Sequence, residues 1–325
     1  MKKFALLIAV LIVFPFAGCS PSFNLFKDSS DPLKEHILSG KGADKVLMVT
    51  VAGVISDTPS NDLLSSRPSL VQEVVSQLRM AEEDDTVKAV VIKVDSPGGT
   101  ATASDILFHE INEFKEKTGK KILCVFMNVA ASGGYYMSLP ADRIVAHPTS
   151  ITGSVGVIMV QPALKDVMEK IGIGMRVNKS GRNKDIGSPF RDPTEEEVTI
   201  LSSVISDLAD QFVQHVQDHR KLTPEALEEV RTARIFVASR ALELGLIDEI
   251  AYLPQAIEKA KEMAGIDKDS KVVVYRRSKI ANDTVYNIAE ARSNAKGALV
   301  NVNLPMGYSN LPVGFYYLWA PGMQQ

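Results

Sequence analysis

The chain has 325 residues, 45% of them hydrophobic and 23% charged, and a net charge of −3. That composition suits a globular protein with a sizeable core, and without a basic block it argues against a nucleic-acid partner. The two cysteines, Cys19 and Cys124, sit in dissimilar surroundings and suggest no disulfide framework. Five scattered histidines, with no HExxH and no Cys/His cluster, give no reason to expect a metal or any other cofactor.

The amino terminus reads as an export leader. Met1-Lys-Lys is basic, residues 4–16 are almost wholly apolar, and Phe16-Ala-Gly-Cys19 brings small residues to a processing site. The apolar run falls short of the roughly 20 residues of a spanning helix, and Pro15 interrupts it. Cys19 is placed as in a bacterial lipoprotein box, which would carry diacylglycerol on its sulfur. Phe16 departs from the leucine usual three residues earlier. An uncleaved signal anchor is the alternative. Either arrangement puts the folded part outside the cytoplasm, membrane-anchored in the bacterial cell envelope.

Residues 20–44 are polar and read as a linker. Residues 45–52 are a buried strand, 53–67 a loop and 70–81 a helix with Leu70, Val74, Val75 and Leu78 on one side. Strand 87–94 then runs into the turn Asp95-Ser-Pro-Gly-Gly-Thr100 and helix 101–117. Strand 121–127 leads to Ser132, Gly133 and Gly134, and 142–146 is another short strand. This alternation predicts an α/β domain with a mostly parallel sheet. Sites in such sheets form beyond the carboxyl ends of the strands, so the two glycine turns should be neighbours. Further on, 161–171 is helical, 175–178 a short strand and 180–189 a loop. A long helix follows Pro193 to about His219, with Thr194 as its cap. Helices at 224–230, 239–244 and 253–264 and strands near 250 and at 271–275 complete the domain, 45–277. The tail, 278–325, has weak periodicity and an aromatic run at 315–319; a packed aromatic cluster in a loose tail, a subunit contact or a lipid contact would each fit.

Ser132 stands between a strand and a short helix, where unpaired peptide N–H groups could stabilise a developing negative charge. Taken alone, the segment equally fits an N-cap serine before turn-forming glycines. A nucleophilic serine needs a base. His147 precedes Pro148 with no acid evidently placed to orient it, which leaves a Ser-His-Asp reading poorly supported. Lys184 lies in a polar loop flanked by Ser180 and Ser188. Desolvation or nearby cations would favour the neutral amine such a role requires. Its plainer reading is an exposed loop lysine. Ser154, between Gly153 and Val155, could orient a neutral amine.

The ensemble resembles the bacterial signal peptide peptidase A family. The resemblance rests on Asp95-Ser-Pro-Gly-Gly99, Ala131-Ser-Gly-Gly-Tyr-Tyr136, Thr152-Gly-Ser-Val-Gly-Val157, Lys184-Asp-Ile-Gly-Ser-Pro189 with Asn183 before it, and Ala241-Leu-Glu-Leu-Gly-Leu-Ile-Asp248. It spans about residues 45–264, and the five motifs come in the family's order. It implies an α/β, ClpP/crotonase-like spiral of ββα units with a mostly parallel sheet and C-terminal helical segments. It further implies a serine-lysine endopeptidase in which Ser132 is the nucleophile and Lys184 the base. Gly99 and Gly133 would furnish the oxyanion hole and Ser154 would orient the lysine. Implied partners are peptides, notably signal-peptide remnants, and further copies of the chain in a ring-shaped homo-oligomer, where a neighbour could supply the lysine. The family usually has glycines near Ala233 and Ala238, which this chain lacks. Two rival readings are a catalytically inactive membrane scaffold and a crotonase-type acyl-CoA enzyme, which would not need Ser132 and Lys184 together.

Overall fold

The computed structural model describes residues 31–62, 65–287 and 314–320. The expected leader with Cys19, and most of the tail beyond 287, lie outside the described residues. The described chain opens with β1 (Lys34–Ser39), β2 (Lys45–Ala52), a hairpin of β3 (Ser60–Asp62) and β4 (Ser65–Arg67), and α1 (Leu70–Glu83). β5 (Val87–Ser96), β6 (Gly98–Thr100) and α2 (Ala101–Thr118) follow, then β7 (Lys121–Ala131) and the one-turn helix α3 (Gly133–Tyr136). Next come β8 (Arg143–Ala146), β9 (Ile151–Gly153), β10 (Ile158–Val160), α4 (Lys165–Lys170), α5 (Glu195–His219) and α6 (Pro224–Arg231). The domain closes with β11 (Ile235–Val237), α7 (Ala238–Glu243), β12 (Glu249–Ile250), α8 (Leu253–Ala264) and β13 (Lys271–Arg276), and the tail adds β14 (Gly314–Leu318).

The main sheet runs β1-β13-β2-β5-β7-β8-β12, with β9 also beside β7 and β11 beside β9. All pairings from β13 across to β12 are parallel; β1 and β11 are the antiparallel additions. The mixed α/β, mostly parallel architecture expected from the sequence is therefore the observed one. Strands buried on both faces need continuous apolar runs, and β2, β5 and β7 have them. Their alternate side chains part to opposite faces with the two-residue strand period. Leu47, Val49, Val90, Ile92, Ile122 and Phe126 face the larger core. Val46, Met48, Val91, Leu123 and Val125 face α8 through Leu253, Ala256 and Ile257. Each fully buried Leu, Ile, Val or Phe contributes about 1.5–3 kcal/mol, so these central strands form a stiff platform.

Helix ends follow their sequence signals. Thr194 accepts from the Glu197 amide while the Glu197 carboxylate accepts from the Thr194 amide, a capping box for α5. Thr100 caps α2 the same way through Ala103.

Several expectations need correction. Lys34–Ser39, placed by the sequence in the 20–44 linker, is an edge strand of the main sheet. Its side chains alternate only between exposed and partly exposed, so no apolar run marks it. The helix expected over 161–171 shortens to α4, none of whose residues is buried. Residues 175–178 are exposed and form no strand, for lack of a neighbour to pair with in the chain. Ala233 holds φ 55°, the left-handed conformation that suits the glycine usual there.

Candidate active site

β7 ends at Ala131, and the chain turns sharply at Ser132 before α3 begins. Ser132 has φ 51° and ψ −116°, a conformation rare for a side-chain-bearing residue, and is fully buried. Neighbouring backbone holds it there. Its N–H donates to the Gly153 carbonyl at 2.8 Å, and its own carbonyl accepts from the Tyr136 amide at 2.8 Å. β9 runs parallel to β7, with Ala131 opposite Gly153, and Thr152 Oγ1 donates to the Ala130 carbonyl at 2.6 Å. The Ser132 hydroxyl makes no capping bond to α3, so the N-cap reading of this serine does not hold. Its one described contact is a long 3.5 Å bond to the Gly156 carbonyl. The short helix is pinned from below by Tyr135 Oη donating to the Leu246 carbonyl at 2.8 Å, and burial pushes that phenol well above its ordinary pKa.

The second glycine turn lies against the first, as the parallel sheet required. β5 ends at Ser96, whose hydroxyl donates to the Gly53 carbonyl at 2.6 Å and accepts from the Gly98 amide at 3.1 Å. A Cβ placed on Gly98 would lie 2.7 Å from the Gly133 amide nitrogen. Gly99 is clamped from behind: Ile55 donates to the Gly98 carbonyl at 2.9 Å and accepts from the Thr100 amide at 3.1 Å. A Cβ on Gly99 would lie 2.5 Å from the Ile55 carbonyl carbon, so only glycine fits. Two backbone segments, Gly98–Gly99 and Ser132–Gly133, therefore meet beside the buried serine. Such paired amides can serve a developing oxyanion.

Ser154 follows Gly153 with φ 53°, is 9% exposed, and donates its N–H to the Arg234 carbonyl at 2.8 Å. It thus belongs to the loop that braces Ser132. Lys184 does not join the group within one chain. It is exposed, and no hydrogen bond or ion pair links it to Ser132 among the described residues. Its loop is ordered nonetheless. Arg191 donates to Asp185 at 2.8 Å and to the nearly buried Glu197, and Lys179 donates to Asp185 at 2.5 Å. The Arg191 guanidinium holds Asp185 far below the carboxylate range and Glu197 down to about 2. His147, the other base considered, is occupied elsewhere: its Nδ1 lies 2.9 Å from Thr149 Oγ1 and its ring stands edge-on to Tyr252.

No signal in the sequence placed the tail here. β14 lies between β6 and β10, antiparallel to both, and its register sets Tyr317 opposite Gly99. A cavity of about 320 Å³ bordered by Asp85, Val87, Lys120 and Lys121 sits at the amino ends of β5 and β7, the opposite edge from Ser132.

Comparison with known proteins agrees with this architecture. The model for peptidase family S49 matches residues 114–267. An Enterococcus faecium protein assigned as signal peptide peptidase SppA is 32% identical over 90% of this chain and 86% of its own length. Protease 4 of Haemophilus influenzae is 30% identical over 83% of this chain and 43% of its own length. The chloroplastic serine protease SPPA of Arabidopsis thaliana is 30% identical over 73% of this chain and 35% of its own length. The protein is thus a serine-type endopeptidase on a ClpP/crotonase-like α/β fold. The chain belongs to peptidase family S49, the signal peptide peptidase A group read from its five motifs.

Proposed function

We propose that the chain cleaves extended apolar peptides, signal-peptide remnants among them, by acyl transfer through Ser132 with Lys184 as general base. The observation that carries this reading is the strained, buried Ser132 turn set against the Gly98–Gly99 edge. Neutral Lys184 takes the hydroxyl proton as Ser132 Oγ attacks the peptide carbonyl. The amides of Gly99 and Gly133 hold the oxyanion. Lys184 returns the proton to the leaving amine, and water hydrolyses the resulting ester.

A neighbouring copy in a ring-shaped homo-oligomer delivers the lysine. Two features support this. Lys184 stands exposed on a pre-ordered loop, and Leu164, Val167, Ile171, Ile173 and Met175 leave an apolar strip exposed nearby in the sequence. Burial against the neighbour would desolvate the amine and favour its neutral form. Ser154 orients that amine from the loop bracing Ser132. We further propose that the protein works at the outer face of a membrane of the cell envelope, held by diacylglycerol on Cys19 or by an uncleaved anchor. No described helix is long and apolar enough to cross a membrane.

The test is hydrolysis of an apolar signal-peptide fragment by the wild type, Ser132→Ala and Lys184→Ala. Each variant should lose nearly all activity while staying folded. Mixing the two inactive variants during assembly should restore part of it, because some boundaries then join an intact serine to an intact lysine. An active Lys184→Ala chain, or no recovery on mixing, would remove the shared-dyad reading.

A further inference from the structure

The groove beside Ser132 is filled by the chain itself. β14 adds to the edge of β6 and is flanked on its other side by β10, as an extended peptide bound by strand addition would be. Its register is specific. Leu318 faces Gly98, Tyr317 faces Gly99 and Tyr316 faces Thr100, and the Trp319 amide donates to the Pro97 carbonyl at 2.8 Å. The Tyr317 carbonyl oxygen lies against the two glycine turns: a Cβ on Gly98 would overlap it, and a Cβ on Gly133 would lie 3.0 Å away. Tyr317 thus presents its carbonyl at the meeting point of the backbone segments that the proposed chemistry assigns to the oxyanion.

Its side chain enters a built pocket. The ring stacks on Tyr136, centroids 5.0 Å apart at 27°, and packs against Phe212 at 4.9 Å. The hydroxyl donates to the Leu208 carbonyl of α5 at 3.0 Å. Tyr136 is fixed in turn by donating to Asp105 at 2.7 Å. Tyr136 and Phe212 are buried, so the pocket has firm walls with one acceptor at its end. Pockets that hydrogen-bond a ligand hydroxyl discriminate against ligands lacking it, because the buried acceptor is left unpaired. Burial pushes the Tyr317 phenol up to about 12, so it is held as the neutral donor.

We infer that this is the pocket for the side chain on the acyl side of the scissile bond, that it selects tyrosine, and that Tyr317 occupies it as a tethered competitor. The inference rests on the proposed function for the direction of the chemistry, while the pocket rests on its own contacts. Extended peptides with an internal tyrosine, or failing that another large aromatic residue, are the substrate class it favours. A competitor on the same chain acts at an effective concentration on the order of millimolar, so free peptides meet a partly blocked groove.

Binding is measured apart from turnover. A labelled peptide Gly-Phe-Tyr-Tyr-Leu-Trp, the sequence of residues 314–319, is titrated into full chains carrying Ser132→Ala, followed by anisotropy. With Tyr317→Ala added, the peptide should bind at least about tenfold more tightly than with the native tail. With Tyr317→Phe, which deletes one hydroxyl and preserves packing, the gain should be smaller but present. Replacing the fourth residue of the peptide by Phe should weaken binding about five- to tenfold, the worth of one neutral hydrogen bond, and by Ala by about a hundredfold. Equal affinity for all tails, or a flat response across the three peptides, overturns the inference. Turnover by chains that retain Ser132 is scored separately. Tyrosine-selective binding without turnover keeps the pocket and removes the dyad reading. Turnover without tyrosine preference does the reverse.

Discussion

Gly99→Ala is the substitution that most directly tests how the groove is built. The added Cβ would stand 2.5 Å from the Ile55 carbonyl carbon and 2.6 Å from the Ile55 nitrogen, whereas ordinary contact begins near 3.4 Å. Both obstacles are backbone, and both belong to the bridge that clamps β6 from behind. No side chain can swing aside, so β6 must move by about 0.9 Å or more toward the groove. A displacement of about 1 Å in a positioning group costs on the order of 10²-fold in rate, and removal of one oxyanion donor about 10²–10³. We expect kcat to fall by at least about 10²-fold. The accompanying overpacking should cost about 1–3 kcal/mol in urea unfolding. Gly119→Ala is the control. Gly119 caps α2 at φ 66° with nothing within 4 Å of a Cβ, so it should lose about 1 kcal/mol of stability and no activity. A Gly99→Ala chain retaining more than a tenth of wild-type kcat would show that the amide of Gly99 does not serve the reaction.

Three other outcomes follow from particular residues. Ala233 holds φ 55°, which costs an L-residue about 1–2 kcal/mol, partly offset by the greater unfolded-state entropy of glycine; Ala233→Gly should therefore stabilise by about 0.5–1 kcal/mol in urea or thermal unfolding, and a loss would refute the strain. Lys93 is buried and donates to the Val285 and Asn287 carbonyls, and desolvation lowers its pKa from 10.5 to about 8. The unfolded chain then binds the extra proton between those values, so stability should rise by on the order of 1–3 kcal/mol as pH climbs through that window. The rise should vanish in Lys93→Met, and an identical rise in both chains would refute it. Asp84 is partly buried, which opposes its ionisation, yet hydrogen bonds from Lys45 and Thr86 hold it at about 2 against an ordinary 3.8. Its contribution is present above the higher value and lost as pH falls through the lower one, so Lys45→Met should flatten acid unfolding over that range; an unchanged acid limb would count against the pair.

The parts legible in the sequence were those whose burial is complete. β2, β5 and β7 announce themselves because both faces are covered, which forces continuous apolar runs. Thr194 and Glu197 announced the start of α5 because capping chemistry is local. The meeting of the two glycine turns followed from the parallel sheet alone. What stayed hidden depends on partners distant in sequence. β1 is a polar edge strand whose neighbour, β13, is more than two hundred residues away. β14 takes its position from β6 and β10 and from one tyrosine pocket, none of which a periodicity can reveal. The aromatic run 315–319 was the available signal, but it fits a loose cluster equally well. The strand expected at 175–178 and the longer helix at 161–171 carry apolar residues with nothing in their own chain to cover them.

Ser132 and Lys184 are prepared by opposite means. The serine is set by the core: its unfavourable backbone conformation persists because β9, the Ser154 loop and the buried helix after it leave no alternative. The lysine loop has no such core. An alternating set of charges, Lys179 to Asp185 to Arg191 to Glu197, ties it to the first turn of α5, and Arg182 and Asn183 reach Glu196 beside it. Ordering a loop before association reduces the conformational entropy that association must overcome. The exposed members of that charge set are screened by salt, whereas the Ser132 turn is held by buried backbone hydrogen bonds that are not. If the lysine comes from a neighbouring copy, ionic strength acts on its delivery while leaving the nucleophile intact. The two halves of the proposed dyad then respond to different conditions, and assembly becomes the step that couples them.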